Sequence, residues 1–327
     1  MILRKLFVAS VILAACTAFG ANAQGQAQTW PSRTVKIVVP YAAGGNSDVM
    51  ARVVAQRLTE HFGQTFIVEN RVGANGALAA DTVARSPADG YALLWAVTPP
   101  MTIAPAMAKL NHDPIKDFAP ISAVAINGFV LVVHKDFPPK TLAEFIAYVK
   151  AQKEKLSYAE GTAGSVTHLA MALFAKRAGL DMTNVSYRGN APAMNDVIAG
   201  HLNTMFSNVS DALPHAASGS IRLLAVSTAK REAQAPNVPT VAESGFPGFN
   251  VVTWNGLVAP ADTPREIIDK IAGEIGRAVK DPQFAGRLKA VGADPLGNTP
   301  DEFAALIKAD TATWADAVAV TGLNKPQ

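Results

Sequence analysis

The run Val35-Lys36-Ile37-Val38-Val39 stops at Pro40, and a few residues later the chain passes through Gly44-Gly45 into Asn46-Ser47-Asp48-Val49-Met50. A β-branched strand, a glycine turn and a helix start in so short a stretch are how an α/β domain presents a ligand at the carboxyl end of a strand. Gly44-Gly45 lets backbone approach closely. Asn46, Ser47 and Asp48 are all N-cap residue types, so free N–H groups and the positive end of the helix dipole are expected beside the glycines. That setting suits a carboxylate or a phosphate. Strand–glycine–helix turns also serve simply to connect α/β elements, and this stretch alone leaves both readings open.

The arrangement recurs. Strand-like runs at 35–39, 65–68, 91–97, 121–133, 156–159, 185–187, 204–206 and 221–227 alternate with helical patterns at 48–61, 77–85, 143–153 and 193–199. Such alternation predicts βαβ units and a parallel sheet. The run at 121–133 is expected to break at Asn127-Gly128. Thr141 reads as an N-cap with Glu144 completing a capping box. Glu160-Gly161-Thr162-Ala163-Gly164-Ser165-Val166-Thr167-His168 is a second glycine turn opening a helix, and Arg71 to Gly76 a third. Converging, the three turns would surround one anionic ligand; taken singly, each is loop punctuation. Residues 236–248, with three prolines and two glycines, read as a return crossing between two lobes. The tail is expected to be helical at 264–279, 282–290 and 300–320, each with Pro near its start.

Composition narrows the class. With 327 residues, 49% of them hydrophobic, the chain can bury one large core or two moderate ones. Arg4-Lys5, the apolar run 6–15 and Ala21-Asn22-Ala23 form the three parts of an export signal, so residues 1–23 are expected to be removed. Leu13-Ala14-Ala15-Cys16 also resembles a lipobox, which would instead anchor the chain by lipid at Cys16. Cys16 is the single cysteine. Cleavage after Ala23 therefore leaves no disulfide, thiol nucleophile or cysteine metal site. Loss of Arg4 and Lys5 lowers Lys+Arg from 29 to 27 against 26 acidic residues, a net of +1. Without a basic block, nucleic acid is not an expected partner.

Catalytic motifs are scarce. The six histidines form no HExxH or close pair, so no metal is expected. No G-x-S-x-G, Walker A or G-x-G-x-x-G sequence occurs. Ser227-Thr228-Ala229-Lys230 matches S-x-x-K without a K-T-G partner, leaving a Ser/Lys hydrolase as an alternative. Polar loops without a nucleophile–base pair suit a binding protein with no catalytic residue and no cofactor.

Longer motifs carry a resemblance: Trp30-Pro31; Pro40-Tyr41-x-Ala43-Gly44-Gly45-x-x-Asp48; Glu69-Asn70-Arg71-x-Gly73; Asp89-Gly90-Tyr91; Gly164-Ser165 with His168-Leu169; Tyr187-Arg188-Gly189-x-Ala191-Pro192; Val238-Pro239-Thr240; and Trp254-x-Gly256-Leu257. In this order, over nearly the whole exported chain, they resemble the Bug (TctC-like) receptors of tripartite tricarboxylate transporters. The resemblance implies an α/β, two-lobed periplasmic binding protein of type II, the Venus-flytrap form, with a ligand cleft between two Rossmann-like lobes. It assigns residues 30–126 and 250–327 to lobe 1 and 127–249 to lobe 2. It also implies a small-molecule carboxylate ligand, integral membrane transporter subunits as partners, a monomer and a periplasmic location. An orphan lobe that presents ligand to a signalling partner is the alternative.

Matched position by position, the resemblance places Tyr41, Ala43, Gly44, Gly45, Asn46 and Asp48 in a first ligand loop. Thr98 supplies a hydroxyl after the third strand, and Gly161, Thr162, Gly164, Ser165, Thr167 and His168 a second loop. Tyr187 to Gly189 forms a further wall. Ser207 stands where many relatives carry an Asp able to meet an amino group, which argues against an α-amino acid. Val97-Thr98-Pro99-Pro100-Met101 replaces a small polar segment, so a less polar pocket is expected, suited to an aromatic or alkyl carboxylate.

Overall fold

A computed structural model describes residues 30–73, 76–161, 164–187 and 189–323. The expected export signal, Thr162, Arg188 and two residues of the third glycine turn lie outside them. In chain order the elements are β1 (Val35–Val39), α1 (Asn46–Phe62), β2 (Phe66–Asn70), α2 (Ala77–Ala84) and β3 (Ala92–Val97), then a π-helical turn (Pro99–Ile103) and α3 (Ala104–Met107). There follow β4 (Phe118–His134), α4 (Leu142–Ala151), β5 (Leu156–Glu160), α5 (Val166–Ala178), β6 (Met182–Ser186), α6 (Asn190–Ala199), β7 (Thr204–Asn208), α7 (Val209–Ala217) and β8 (Ile221–Val226). The chain finishes with β9 (Val252–Pro260), α8 (Arg265–Ala278), α9 (Pro282–Lys289), β10 (Asp294–Pro295) and α10 (Pro300–Thr321).

The strands lie in the order β2-β1-β3-β9-β4-β7-β5-β6, with β8 and β10 also on β4. β1 pairs parallel with β2 and β3, and β5 parallel with β6 and β7. The central strands β9 and β4 run antiparallel. Both faces of each half are covered, which is why the strands read as near-continuous apolar runs. One face of the first half packs β1 and β3 against Met50, Val54 and Leu58 of α1 and Ile268, Ile271 and Ile275 of α8. The opposite face packs Val38 and Leu94 against α2, Trp254 and Phe303. The second half repeats the layering, with Phe145, Phe174 and Phe206 on one face and Met194, Val197 and Met205 on the other.

Two elements run through both halves. β4 pairs with β9 as far as Gly128↔Val252, and from Phe129 onward with β7 and β8. The expected break at Asn127-Gly128 does not occur, because both residues stay in the ladder opposite Thr253 and Val252. α10 crosses as well: Phe303 and Ile307 belong to the first-half core, and Trp314, Ala317 and Val318 to the second. The Trp254 and Phe303 rings meet edge-on at 5.0 Å, worth about 0.5–1.5 kcal/mol beyond their burial.

The sequence pattern missed β9, whose Trp254-Asn255-Gly256 interrupts any apolar run. Gly256 is needed there, since a Cβ would stand 2.6 Å from the Ser122 carbonyl and 2.7 Å from Phe303. It also missed α7, which carries Pro214 inside it. At α4, Thr141 does cap, accepting the Glu144 N–H at 3.2 Å, but the Glu144 carboxylate takes the Lys140 N–H at 2.7 Å and so closes no reciprocal box. Among the described residues no helix is long and apolar enough to cross a membrane.

Candidate functional site: a cleft lined by helix N-termini

Where the two halves of the sheet meet, a cleft of about 410 Å³ opens between Tyr41, Pro99, Ile103, Ala104 and Met107 on one side and Phe129, Gly164, Ser165, Val166, Thr167, Asn190 and Asn208 on the other. A smaller compartment of about 180 Å³ continues from it, lined by Asn46, Ser47, Asn127, Asn255 and neighbours. The two share Tyr41, Pro99, Asn208 and Thr253.

Among the described residues, none that lines either compartment is Asp, Glu, Lys, Arg or His. Instead four helices begin at the cleft. Asn46 opens α1, Ser165 is the N-cap of α5, Asn190 opens α6, and Asn208 is the N-cap of α7. Each start carries unpaired backbone N–H groups and a partial positive charge, so an anion can be held without a formal cation. Burial pushes the Tyr41 phenol up to about 12; it stays protonated at neutral pH and is available as a donor.

In the first loop Tyr41 and Asn46 line the cleft, and Asp48 holds the loop together from behind. The expected capping side chains do not cap α1, because Gly45 holds that position. Asp48, 2% exposed, folds back to accept the Gly44 N–H at 2.9 Å and hydrogen bonds from Arg52 Nε at 2.9 Å and Asn70 Nδ2 at 2.9 Å. The Arg52 guanidinium, helped by Gly44 and Asn70, lowers its pKa to about 2. Gly44 has φ +83°, the left-handed region that favours glycine. Ala43, Gly44 and Gly45 are exposed on this loop beside the lining. Asn46 Nδ2 donates to the Val291 carbonyl and Ser47 Oγ to Asn255 Oδ1, tying the start of α1 to the segments that flank it.

Thr98 stands behind the wall: fully buried, its hydroxyl accepts the Trp254 N–H at 2.8 Å. Of the expected Pro99-Pro100-Met101 surface, Pro99 lines the cleft while Met101 turns into the core of the first half. The apolar wall comes instead from the next helical turn, Ile103, Ala104 and Met107, with Phe129 opposite. None of the described residues of the third glycine turn lines the cleft; a Cβ at Gly76, which caps α2, would press on Pro40 and Pro100 at 3.0–3.1 Å.

In the second loop Ser165 Oγ accepts the His168 N–H at 3.3 Å and meets Thr167 Oγ1 at 3.0 Å, and Thr167 donates to Asn190 Oδ1. Gly161 is buried just behind, where any side chain would overlap Asn190 Oδ1. His168 is buried and its Nδ1 lies 3.0 Å from Glu160 Oε2. The Tyr187 hydroxyl bonds Asp196. Ser207 is 1% exposed with no partner for its Oγ among the described residues, whereas the next residue, Asn208, lines the cleft. Sequence reasoning did not single out Asn190, Asn208, Thr253 or Asn255 as site residues. Asn190 and Asn208 stand at strand–helix junctions, which alone could have marked them, and Thr253 and Asn255 lie within β9, the strand that the sequence pattern missed.

The hydroxyl of the S-x-x-K match is committed to structure. Ser227 is fully buried, accepts the Phe129 N–H at 3.0 Å and donates to the Val251 carbonyl. Among the described residues no group of three or more His, Cys, Asp or Glu could hold a metal ion.

The family model described as "Tripartite tricarboxylate transporter family receptor" matches residues 50–323. The BugT protein of Bordetella pertussis is 33% identical over 321 residues, 98% of each chain. Among solved structures, R. palustris Rpa4515 with adipate is 33% identical with a TM-score of 0.72, covering 90% of this chain and 98% of that one. MatC from Rhodopseudomonas palustris with bound malate is 33% identical with a TM-score of 0.70, covering 88% and 100%.

Proposed function

Because the chain belongs to the tripartite tricarboxylate transporter receptor family, whose members are periplasmic binding receptors and not enzymes, we propose that it captures a small organic carboxylate for delivery to integral membrane transporter subunits. The observation that carries the reading is a cleft whose described lining has no charged side chain and into which four helix N-termini open. Such a cleft favours an anion through dipoles and neutral donors. Neighbours of the same family hold adipate and malate, both carboxylates.

The ligand proposed is an aromatic or alkyl carboxylate. Its carboxylate sits in the smaller compartment among Asn46, Ser47, Asn127 and Asn255, and its apolar body lies against Ile103, Met107, Phe129 and Val166. The described lining holds no carboxylate, the counter-charge an α-amino group would need. In this reading residues 1–23 direct export, lobe 1 (30–126 and 250–327) and lobe 2 (127–249) close on the ligand, and the receptor acts as a monomer. Calorimetric titration with benzoate, adipate and citrate tests the ligand class. Tighter binding of the less polar acids supports it, and equal affinity for citrate and benzoate would remove its basis.

A further inference from the structure

Pro99, Ile103 and Met107 follow one another at intervals of four along the π-helical turn and α3, and all three line the cleft. Side chains so spaced share a helix face. The stripe they form has a direction. Pro99 borders both compartments, whereas Ile103 and Met107 line the larger one alone. Met107 is therefore the end of the stripe away from Asn46, Ser47, Asn127 and Asn255.

At that end the two sides of the cleft touch. A Cβ at Gly164 would stand 2.8 Å from Met107 Cε, 3.3 Å from its Sδ and 3.5 Å from Leu323 Cδ1. The thioether thus lies against Gly164, the residue before the N-cap of α5. Met107 is 36% exposed and belongs to none of the buried clusters among the described residues. One side of it meets water and the other meets the cleft, and no core depends on it.

We propose that Met107 is a specificity-determining residue: by closing the apolar end of the cleft against Gly164, it sets the length of ligand that the cleft accepts. With the carboxylate among Asn46, Ser47, Asn127 and Asn255, the apolar body runs along Ile103 toward the thioether. Each methylene added up to that point leaves water for an apolar wall. A longer tail must push the thioether off Gly164 or protrude into solvent, and it gains nothing further. An unbranched thioether suits the task, since its rotatable bonds let it cover tail ends of different shape. The inference rests on the carboxylate-receptor reading for which way the ligand lies, but not for the barrier itself.

Calorimetric titration of the full chain with straight-chain monocarboxylates, from butanoate to dodecanoate, reads the limit. Affinity is expected to rise about fourfold per added methylene and then to stop rising at one chain length. Met107→Ala removes Cγ, Sδ and Cε, and a tail about two or three methylenes longer fills the space they leave, so the stopping point moves out by that much. Met107→Leu, close in volume, keeps it where it was. A stopping point unmoved in Met107→Ala, or absent from the unmodified chain, overturns the inference. If the acids bind neither chain, the carboxylate reading fails. The matching primary amides, which need the apolar slot and no anion site, then decide this inference: the same shift sustains it, and no shift overturns it.

Discussion

Gly128 has no side chain, and the Glu232 carboxylate occupies the space one would fill. A Cβ there would overlap Glu232 Oε1 and stand 2.7 Å from Thr228 Cγ2. The contact lies where β4 passes from one half of the sheet to the other, so it governs the junction on which the cleft depends. Gly128→Ala is expected to destabilise the chain by about 1–3 kcal/mol through overpacking. Chemical denaturation measures it; an unchanged midpoint would mean that Glu232 does not sit there.

Glu232 also makes stability depend on pH. Burial first, and then the Asp294 carboxyl hydrogen-bonded beside it, push its pKa from the usual 4.5 up to about 8. Between those values the folded chain holds a proton that the unfolded chain has released. Stability is therefore fully present below pH 4.5 and declines as pH rises toward 8. Asp310, pushed up to about 6 by burial, acts in the same sense but is spent earlier, which leaves pH 7–8 to Glu232. Glu232→Gln keeps a neutral donor toward Asp294 and should flatten the melting temperature across that range. Each kcal/mol recovered raises it by about 2–4 °C. Parallel melting curves for the two chains from pH 6.5 to 8.5 would contradict the assignment.

Asp48 predicts the opposite slope. Its lowered pKa contributes stability that is present above about 4 and lost as pH falls toward 2. Asp48→Asn turns an amide toward Arg52 or Asn70 in place of a carboxylate oxygen, at a cost of about 1.5–3 kcal/mol near neutral pH. The deficit should shrink in acid, where the unmodified carboxylate also gains a proton. Denaturation at pH 6 and pH 3 separates this from a deficit independent of pH.

Ser207 and Asn208 are neighbours with opposite expected outcomes. Ser207 Oγ is buried without a partner, so Ser207→Ala should leave stability equal or improved, by up to about 1 kcal/mol, and ligand affinity unchanged. Asn208 lines both compartments. Asn208→Ala should weaken carboxylate binding about tenfold while the chain stays folded. A reversal of the two effects in titration calorimetry would place the other residue in the site.

These neighbours show where sequence reading reaches its limit. The β1 strand, the helix that the second glycine turn opens and the proline-led helices α9 and α10 follow from local chemistry, and the structure has them close to where the pattern puts them. β9 has no such local signature, because it is held by the strands on either side and by the close approach that Gly256 permits. The site divides in the same way. Glycine turns mark where helices begin, but which side chain then faces the cleft is a matter of strand face and helix phase. Motif residues such as Asp48 and Thr98 shape the walls from behind, while the solitary Asn190 and Thr253 line them.

The cleft is proposed to hold a carboxylate through neutral donors. A thermal-shift titration of the refolded chain, comparing adipate with adipamide at matched concentrations, tests it most directly. A ligand that binds only the folded state raises the melting temperature with the logarithm of its concentration once that exceeds Kd. Such a rise with adipate, and none with adipamide, is the result predicted. No shift with adipate or any other small carboxylate, or equal shifts with the amide, would contradict the account.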